Sequence, residues 1–274
     1  MQYEWIAQSS ETLLSFIQAK LQDKTLSLRK IKGWIDAGYC FVGGRQERFS
    51  RFQVAPGQKI TLRVPEARAQ KPVELLFEDE AILIISKPSG ITCDARLEKK
   101  ALLVHRLDKE TSGLLLLAKN AKVKEYFIKE FKKHAVQKQY VAICDGAVRE
   151  PSGTIKNYLG PIERYQGHVK WGVVAKDGHF AHTEWKVLKK AKQATLLQLM
   201  PVTGKTHQLR IHTSGMHHPI LGDNTYGKSF RCSYRAPRIL LHAIHLSFTH
   251  PAGNKMEISC PLPDDFEACL KELF

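Results

Sequence analysis

The residues best suited to chemistry lie in a polar turn, residues 105–113, that runs into the apolar stretch Leu114–Ala118. Asp108 stands in this turn near two cations, Arg106 and Lys109. A neighbouring cation favours the ionised carboxylate, which is the form that a nucleophile or a base needs. An Asp in a turn also commonly bonds its own backbone. From the turn alone, catalysis and a structural role for Asp108 therefore both remain open.

Other chemistries find weaker support. A hydrolase acting at a sugar carbon ordinarily needs two carboxylates, and neither Asp223 nor Glu110 forms a convincing pair with Asp108. The segment Gly204-Lys205-Thr206 ends like a phosphate-binding loop, but the first glycine of that motif would fall on Leu199.

The 12 histidines of the chain could indicate a metal site. Their spacing does not match HExxH, and no paired cysteines accompany them. We therefore expect neither a metal nor another cofactor.

The net charge indicates the kind of partner. Lys and Arg number 42 against 27 Asp and Glu, which gives a formal charge of +15. Such an excess favours a polyanion, either nucleic acid or an anionic membrane. No apolar stretch approaches the length of a membrane-spanning helix, so we expect no membrane partner. The six cysteines show no CxxC spacing and predict reduced thiols in a cytoplasmic protein.

The chain divides near residue 66 into two sets of secondary-structure elements, which must position these residues. Residues 1–66 predict two helices followed by a small hairpin-rich sheet; the first helix is capped by Ser9 or Ser10 and the second by Ser27. The polar segment 65–72 is bracketed by prolines, as expected of a linker. Residues 67–274 predict a sheet-rich domain of the α+β (mixed α/β) class, largely antiparallel, with one clear helix from about Ala121 to His134.

The first domain resembles an S-four-like RNA-binding module. The matching features are the helix end at Ile31–Gly38, Val42-Gly43-Gly44, and the turn Pro56-Gly57-Gln58-Lys59-Ile60. The family usually has Asn-Gly in the first turn and an acidic residue at the position of Gln58. The resemblance implies that the second helix contacts RNA phosphates, and the candidate contacts are Arg29, Lys30 and Lys32. The alternative is a small capping subdomain with a solvated basic face.

The second domain resembles the RluA-type family of pseudouridine synthases. The segment HRLDKETSGLLLLAK, residues 105–119, contains all the usual fixed positions of that family's signature. Four further blocks follow the family's order, at Lys87–Gly90, Lys138–Tyr140, Gly204–His212 and Pro219–Gly227. A fifth, at Leu241-His242-Ala243 and His250-Pro251, completes a resemblance over roughly residues 75–265.

This resemblance implies a pseudouridine synthase fold and an RNA-uridine isomerase that needs no cofactor. Asp108 would be the catalytic carboxylate, Arg210 would pair with it, and Tyr140 would lie against the uracil. Leu209 would pack on the other side of the base, on a segment whose alternation with polar neighbours also suits a strand. Three further candidate substrate-binding residues are Arg106, Lys138 and His207. Arg106 would fill the space of the extruded base or hold the flanking backbone.

Two alternatives remain from the sequence. The chain could be a non-catalytic RNA-binding or ribosome-assembly protein that kept the fold, although the joint presence of Asp108, Tyr140 and Arg210 favours the enzyme. Its substrate could be tRNA, although the appended RNA-binding module favours large-subunit rRNA. We expect the protein to act as a monomer.

Overall fold

The computed structural model describes residues 2–21, 26–36, 38–64, 72–94, 101–165, 168–227 and 229–274. The chain forms two compact units, Met1–Ala69 and Gln70–Phe274. The linker expected at 65–72, and with it the boundary expected at residue 66, lies outside the described residues except for Pro72.

The first unit packs two helices on a small sheet. Its strands are β1 (Gln2–Ile6), β2 (Glu11–Thr12), β3 (Cys40–Val42), β4 (Arg45–Glu47), β5 (Gln53–Val54) and β6 (Lys59–Arg63). Its helices are α1 (Leu13–Leu21) and α2 (Leu28–Asp36). Four strands form one sheet in the order β1-β6-β3-β4, and β2 pairs with β5. The core joins buried side chains of both helices, such as Ile17 and Ile31, to Ile60 and Leu62 of β6.

Two expectations for this unit were wrong. A strand, β1, precedes the helices and pairs with β6 along its whole length. The first helix begins at Leu13 rather than near Ser9 or Ser10, because Glu11 and Thr12 pair with β5 and the Thr12 hydroxyl accepts from the Ser15 N–H. The expected cap at Ser27 is confirmed, since its hydroxyl accepts from the Lys30 N–H at 3.3 Å.

The second unit is built on an 11-stranded sheet. Its strands are β7 (Glu74–Glu78), β8 (Ile82–Lys87), β9 (Leu102–Leu103), β10 (Ser112–Ala118), β11 (Gln137–Asp145), β12 (Ser152–Tyr165), β13 (His168–Val173), β14 (His179–Lys190), β15 (Ala194–Pro201), β16 (Leu241–Thr249) and β17 (Lys255–Ser259). Its helices are α3 (Ala121–Lys132), α4 (Gln208–Gly215) and α5 (Asp264–Leu273). The expected α+β class and the helix near 121–134 are thus confirmed.

The strand order places β16, which comes late in the chain, inside the sheet. The main path runs β13-β12-β14-β15-β11-β16-β10-β8-β7, with β17 on β16 and β9 on β10. Among the described strands, only the β10–β16 pairing is parallel, and it joins Ser112 and Gly113 to His242 and Ala243. Gly113 has φ +110°, and a Cβ there would collide with the backbone of Ala243. Glycine therefore permits the close approach by which β16 holds the two halves of the sheet together.

The core of this unit supports the residues that flank the turn at 105–113. Every residue of β10 is buried, as expected of a strand with neighbours on both sides and apolar side chains on both faces. α3 is capped by Asn120, whose side chain accepts from the Val123 N–H, and it buries Phe127 against Phe248 of β16. Within the described residues, no helix is both long and apolar enough to cross a membrane.

Candidate active site

A cleft of about 1160 Å³ opens in the second unit at the turn that precedes β10. All seven residues expected to act on the substrate line it: Arg106, Asp108, Lys138, Tyr140, His207, Leu209 and Arg210. They come from three separate elements, namely the turn, β11 and the start of α4. The side chain of Asp108 is 26% exposed, so its carboxylate is open to a ligand in the cleft.

Arg210 contacts two carboxylates. Its Nη1 atom lies 3.5 Å from Oδ2 of Asp108, while Nε and Nη2 donate to Asp223 at 2.6 and 2.9 Å. Burial opposes the charge on Arg210, but the hydrogen bond and charge of Asp223 and the charge of Asp108 outweigh it and raise the pKa of the guanidinium. The pairing expected between Arg210 and Asp108 is thus present but long, and the tight partner is Asp223. Asp223, which the sequence did not pair convincingly with Asp108, is instead bound to Arg210.

Arg210 projects from α4, and polar side chains attach that helix to β14. Gln208 donates from Nε2 to the carbonyl of His182 and the hydroxyl of Thr183. His212, one turn further on, contacts the same hydroxyl through Nδ1 at 2.9 Å and Asn157 through Nε2 at 3.0 Å. Burial lowers the pKa of His212 to about 4, so the ring is neutral and can donate only from one nitrogen. These bonds fix the helix from which Arg210 and Leu209 project, and they correct the expectation that Leu209 might lie on a strand.

The turn that carries Asp108 is fixed from below by Lys87. This side chain is fully buried, and its Nζ atom donates to the carbonyls of Pro88, Ile91 and Lys109 at 2.9–3.2 Å. The Ser89 hydroxyl also donates to the carbonyl of Glu110. Burial lowers the pKa of Lys87 to about 8. The loop at 87–91 therefore holds the backbone on the C-terminal side of Asp108.

Tyr140 and Lys138 reach the cleft from β11. The register between β11 and β16 shifts between Gln139 and Tyr140, and such a bulge re-aims the side chains that follow it. Tyr140 is buried, and burial together with the nearby charge of Asp108 raises the pKa of its hydroxyl. Burial lowers the pKa of Lys138 to about 8, and its nearest polar partner is the carbonyl of Thr203 at 3.5 Å. Tyr140 thus supplies a protonated phenol, and Lys138 supplies a weakly paired cation.

His207 and Arg106 also line the cleft. His207 precedes α4 with a positive φ of 56°, and its Nδ1 atom lies 2.8 Å from the hydroxyl of Tyr226. Burial lowers the pKa of His207, against the opposing charge of Asp108. Arg106 is exposed, so its guanidinium is available to a ligand at the mouth of the cleft.

Sequence reasoning missed the residues that support the site. Gln208 and His212 lie in the same motif as Arg210. Their spacing of i and i+4 places two polar side chains on one face of a helix, which could have predicted that this face packs against polar partners. Asp223 and Tyr226 were matched to a motif but given no role. Lys87 was treated in the same way, and only the structure shows its three carbonyl partners.

The candidate RNA contacts of the first unit lie on α2. Arg29 and Lys30 are exposed, and Nζ of Lys30 lies 5.6 Å from the ring centroid of Trp34. Lys32 forms an ion pair of 2.7 Å with Asp36. The three cations therefore differ in their surroundings: Lys32 faces a carboxylate, Lys30 faces an aromatic ring, and Arg29 is exposed.

Comparisons with known proteins agree with this geometry. Residues 81–215 match the family profile described as RNA pseudouridylate synthase. A ribosomal large subunit pseudouridine synthase C of Buchnera aphidicola is 32% identical, over 94% of this chain and 92% of the relative. An uncharacterised RNA pseudouridine synthase of Bacillus subtilis is 29% identical, over 97% of this chain and 95% of the relative. The solved structure of human RNA pseudouridylate synthase domain containing 1 superposes with a TM-score of 0.65 at 27% identity, covering 75% of this chain and 90% of the human chain.

Proposed function

The chain belongs to the RluA-type family of RNA pseudouridine synthases, and we propose that it isomerises uridine in large-subunit rRNA with Asp108 as the catalytic carboxylate. The observation that carries this assignment is the pairing of Asp108, open to the cleft, with the buried guanidinium of Arg210 at 3.5 Å. A fixed cation beside a carboxylate favours its ionised form and holds it in one orientation. Membership of an enzyme family also decides between the enzyme and a non-catalytic RNA-binding protein in favour of the enzyme.

The reaction rearranges bonds without a net change of atoms or electrons. The bond between N1 of uracil and C1′ of ribose breaks, and a bond between C5 and C1′ forms. C5 loses its proton and N1 gains one. Asp108 supplies negative charge next to the ribose–uracil bond, and Arg210 keeps that charge in place. The phenol of Tyr140 stays protonated because its pKa is raised, so its ring can pack on the uracil without adding charge.

The other cleft residues bind the nucleotide. A base must leave its stack before its glycosidic bond can be reached, and exposed Arg106 is placed to occupy the vacated space. Leu209 offers an apolar surface to the second face of the uracil. Lys138 and His207 offer a cation and an imidazole to the flanking phosphates, which position the RNA without specifying its sequence.

The substrate class rests on charge and on relatives. The formal charge of +15 suits a large folded RNA. The relative from Buchnera is named as a ribosomal large subunit enzyme. In this proposal the first unit is an S-four-like module that adds phosphate contacts through Arg29, Lys30 and Lys32. The protein acts as a monomer in the cytoplasm, where its six buried cysteines, all free, stay reduced.

The test maps pseudouridine in rRNA and tRNA from cells with and without this protein. Carbodiimide adducts are needed for the mapping because the isomerisation leaves the mass unchanged. We expect a site in large-subunit rRNA to be lost and to return with the wild-type gene but not with Asp108→Asn. Loss confined to tRNA would overturn the rRNA assignment, and restoration by Asp108→Asn would overturn the role of Asp108.

A further inference from the structure

Asp223 binds Arg210 but has no role in the reaction proposed above. We propose that Asp223 is a positioning residue: it holds the guanidinium of Arg210 by one edge, so that Arg210 presents a single donor to Asp108 and does not close a two-point ion pair on it. This inference rests on the proposed roles of Asp108 and Arg210.

The contact geometry carries the first step. Nε and Nη2 of Arg210 form one edge of the guanidinium, and both donate to Asp223 at 2.6 and 2.9 Å. Two parallel hydrogen bonds of this length fix the plane of the group as well as its place. Only Nη1 is directed to Asp108, at 3.5 Å. The guanidinium is therefore bound to one carboxylate and merely close to the other.

Asp223 is itself fixed. Its side chain is 1% exposed, and its Oδ1 atom also accepts from the N–H groups of Thr225 and Tyr226 at 3.0 and 3.2 Å. The preceding residue, Gly222, has φ +84°, and a Cβ there would collide with the backbone of Arg238. The ring of Tyr226 lies 5.1 Å below the guanidinium carbon of Arg210. Backbone and ring together leave Asp223 and Arg210 little freedom to rearrange.

The cost of burying the charge of Arg210 explains why a second carboxylate is needed. Arg210 is 4% exposed, and a buried charge without a partner is costly. With Asp108 as its sole partner, Arg210 would draw that carboxylate into a close pair, and the substrate would have to break it. Asp223 already neutralises Arg210, so Asp108 is not drawn into a close pair and remains available to the ribose–uracil unit.

The surroundings of Asp108 allow the effect to be read from a pH profile. Besides its neighbours in the turn, the groups that interact electrostatically with Asp108 are Lys87, Cys93, Tyr140, His207, Arg210 and Tyr226. Asp223→Asn changes none of these groups but removes the charge that neutralises Arg210. More of the positive charge then acts on Asp108, and a nearby positive charge favours the ionised form of a carboxylate. The acid limb of the rate profile should move with it.

The experiment uses the full-length protein and an unmodified transcript of large-subunit rRNA carrying tritium at C5 of uridine. Tritium released into water counts the C5–C1′ bonds formed. For Asp223→Asn we expect kcat to fall by about 10- to 100-fold, as for a misplaced catalytic group. RNA affinity should be unchanged because the phosphate contacts are untouched. The acid limb of the kcat profile should shift to lower pH.

Asp145→Asn is the matched control. Asp145 is also a buried carboxylate that accepts from two loop N–H groups, those of Arg231 and Cys232, but it does not line the cleft. Its substitution should lower the melting temperature without moving the pH profile. An Asp223→Asn enzyme with wild-type kcat and profile, or one that loses activity only as Asp145→Asn does, would overturn the inference.

Two further measurements separate the inference from its premise. Asp108→Asn is assayed in parallel: if it is active, the catalytic assignment fails, whereas if it is inactive and Asp223→Asn behaves as wild type, only the positioning role fails. If Asp223→Asn does not fold, Asp223→Ser is used for the same readouts, because its hydroxyl can still accept from the Thr225 N–H.

Discussion

The Nζ atom of Lys87 lies 3.2 Å from the carbonyl oxygen of Lys109, the residue that follows Asp108. A buried ammonium thus holds the backbone beside the proposed catalytic carboxylate. The same group carries a desolvation penalty, which lowers its pKa from 10.5 to about 8.

This penalty predicts a pH-dependent difference in stability. Between pH 8 and 10.5 the unfolded chain keeps the Lys87 proton while the folded chain loses it, so stability from this group rises with pH in that window. The free energy of unfolding of the wild type, minus that of Lys87→Met, should increase by about 2 kcal/mol from pH 7 to 9.5. Urea unfolding at the two pH values measures it, and a difference independent of pH would contradict the shifted pKa.

Lys138 predicts an alkaline limit on activity. Burial lowers its pKa to about 8, so the free enzyme should lose this cation, and kcat/KM should fall, as pH rises through 8. Lys138→Met should have a low kcat/KM that no longer falls over this range. The control is Lys133→Met, since the Lys133 side chain is 69% exposed and does not line the cleft. A retained alkaline limb in Lys138→Met would assign that limb to another group.

The first unit predicts graded salt dependence of RNA binding. Arg29→Gln and Lys30→Gln should each weaken binding and lower the slope of log Kd against log salt by about one. Lys32→Gln should change the slope less because its ammonium is already paired with Asp36 at 2.7 Å. Filter binding over a salt series tests this, and equal slopes for all variants and wild type would contradict RNA contact by α2.

Gly113 predicts a large local effect from a single methyl group. Gly113→Ala would drive Cβ into the backbone of Ala243 at φ +110° and separate β10 from β16. Gly253→Ala is the control, since it has φ +97° but open space around it, and should cost only about 1–2 kcal/mol of left-handed strain. Thermal unfolding should show a larger loss of stability for Gly113→Ala than for Gly253→Ala. Similar losses of stability in the two variants would contradict the collision.

Much of the site could be predicted because its residues lie in contiguous motifs. Asp108 was singled out by its turn and the neighbouring cations, and Tyr140 and Arg210 by the resemblance of their segments to family motifs. The structure brings all three to one cleft. The helix α4 was missed because it buries Gln208, Arg210 and His212 through hydrogen bonds, which hides the apolar periodicity on which helix prediction depends.

Other elements were missed for different reasons. In strand β1, half-buried Tyr3 and Trp5 alternate with exposed neighbours. This period of two was overlooked because the segment is only five residues long. The role of Asp223 depends on a partner 13 residues away, and no local pattern reports such a contact. Motif matching thus located the proposed reacting side chains better than the side chains that hold them in position.

The place of β16 in the sheet has a consequence for synthesis of the protein. Asp108 belongs to the half of the sheet formed by β7, β8 and β10, whereas Tyr140 and Arg210 belong to the half formed by β11–β15 and α4. β16 joins the halves, and it follows both of them in the chain. A nascent chain can therefore build both halves early, yet its cleft closes only when residues 241–249 insert between them.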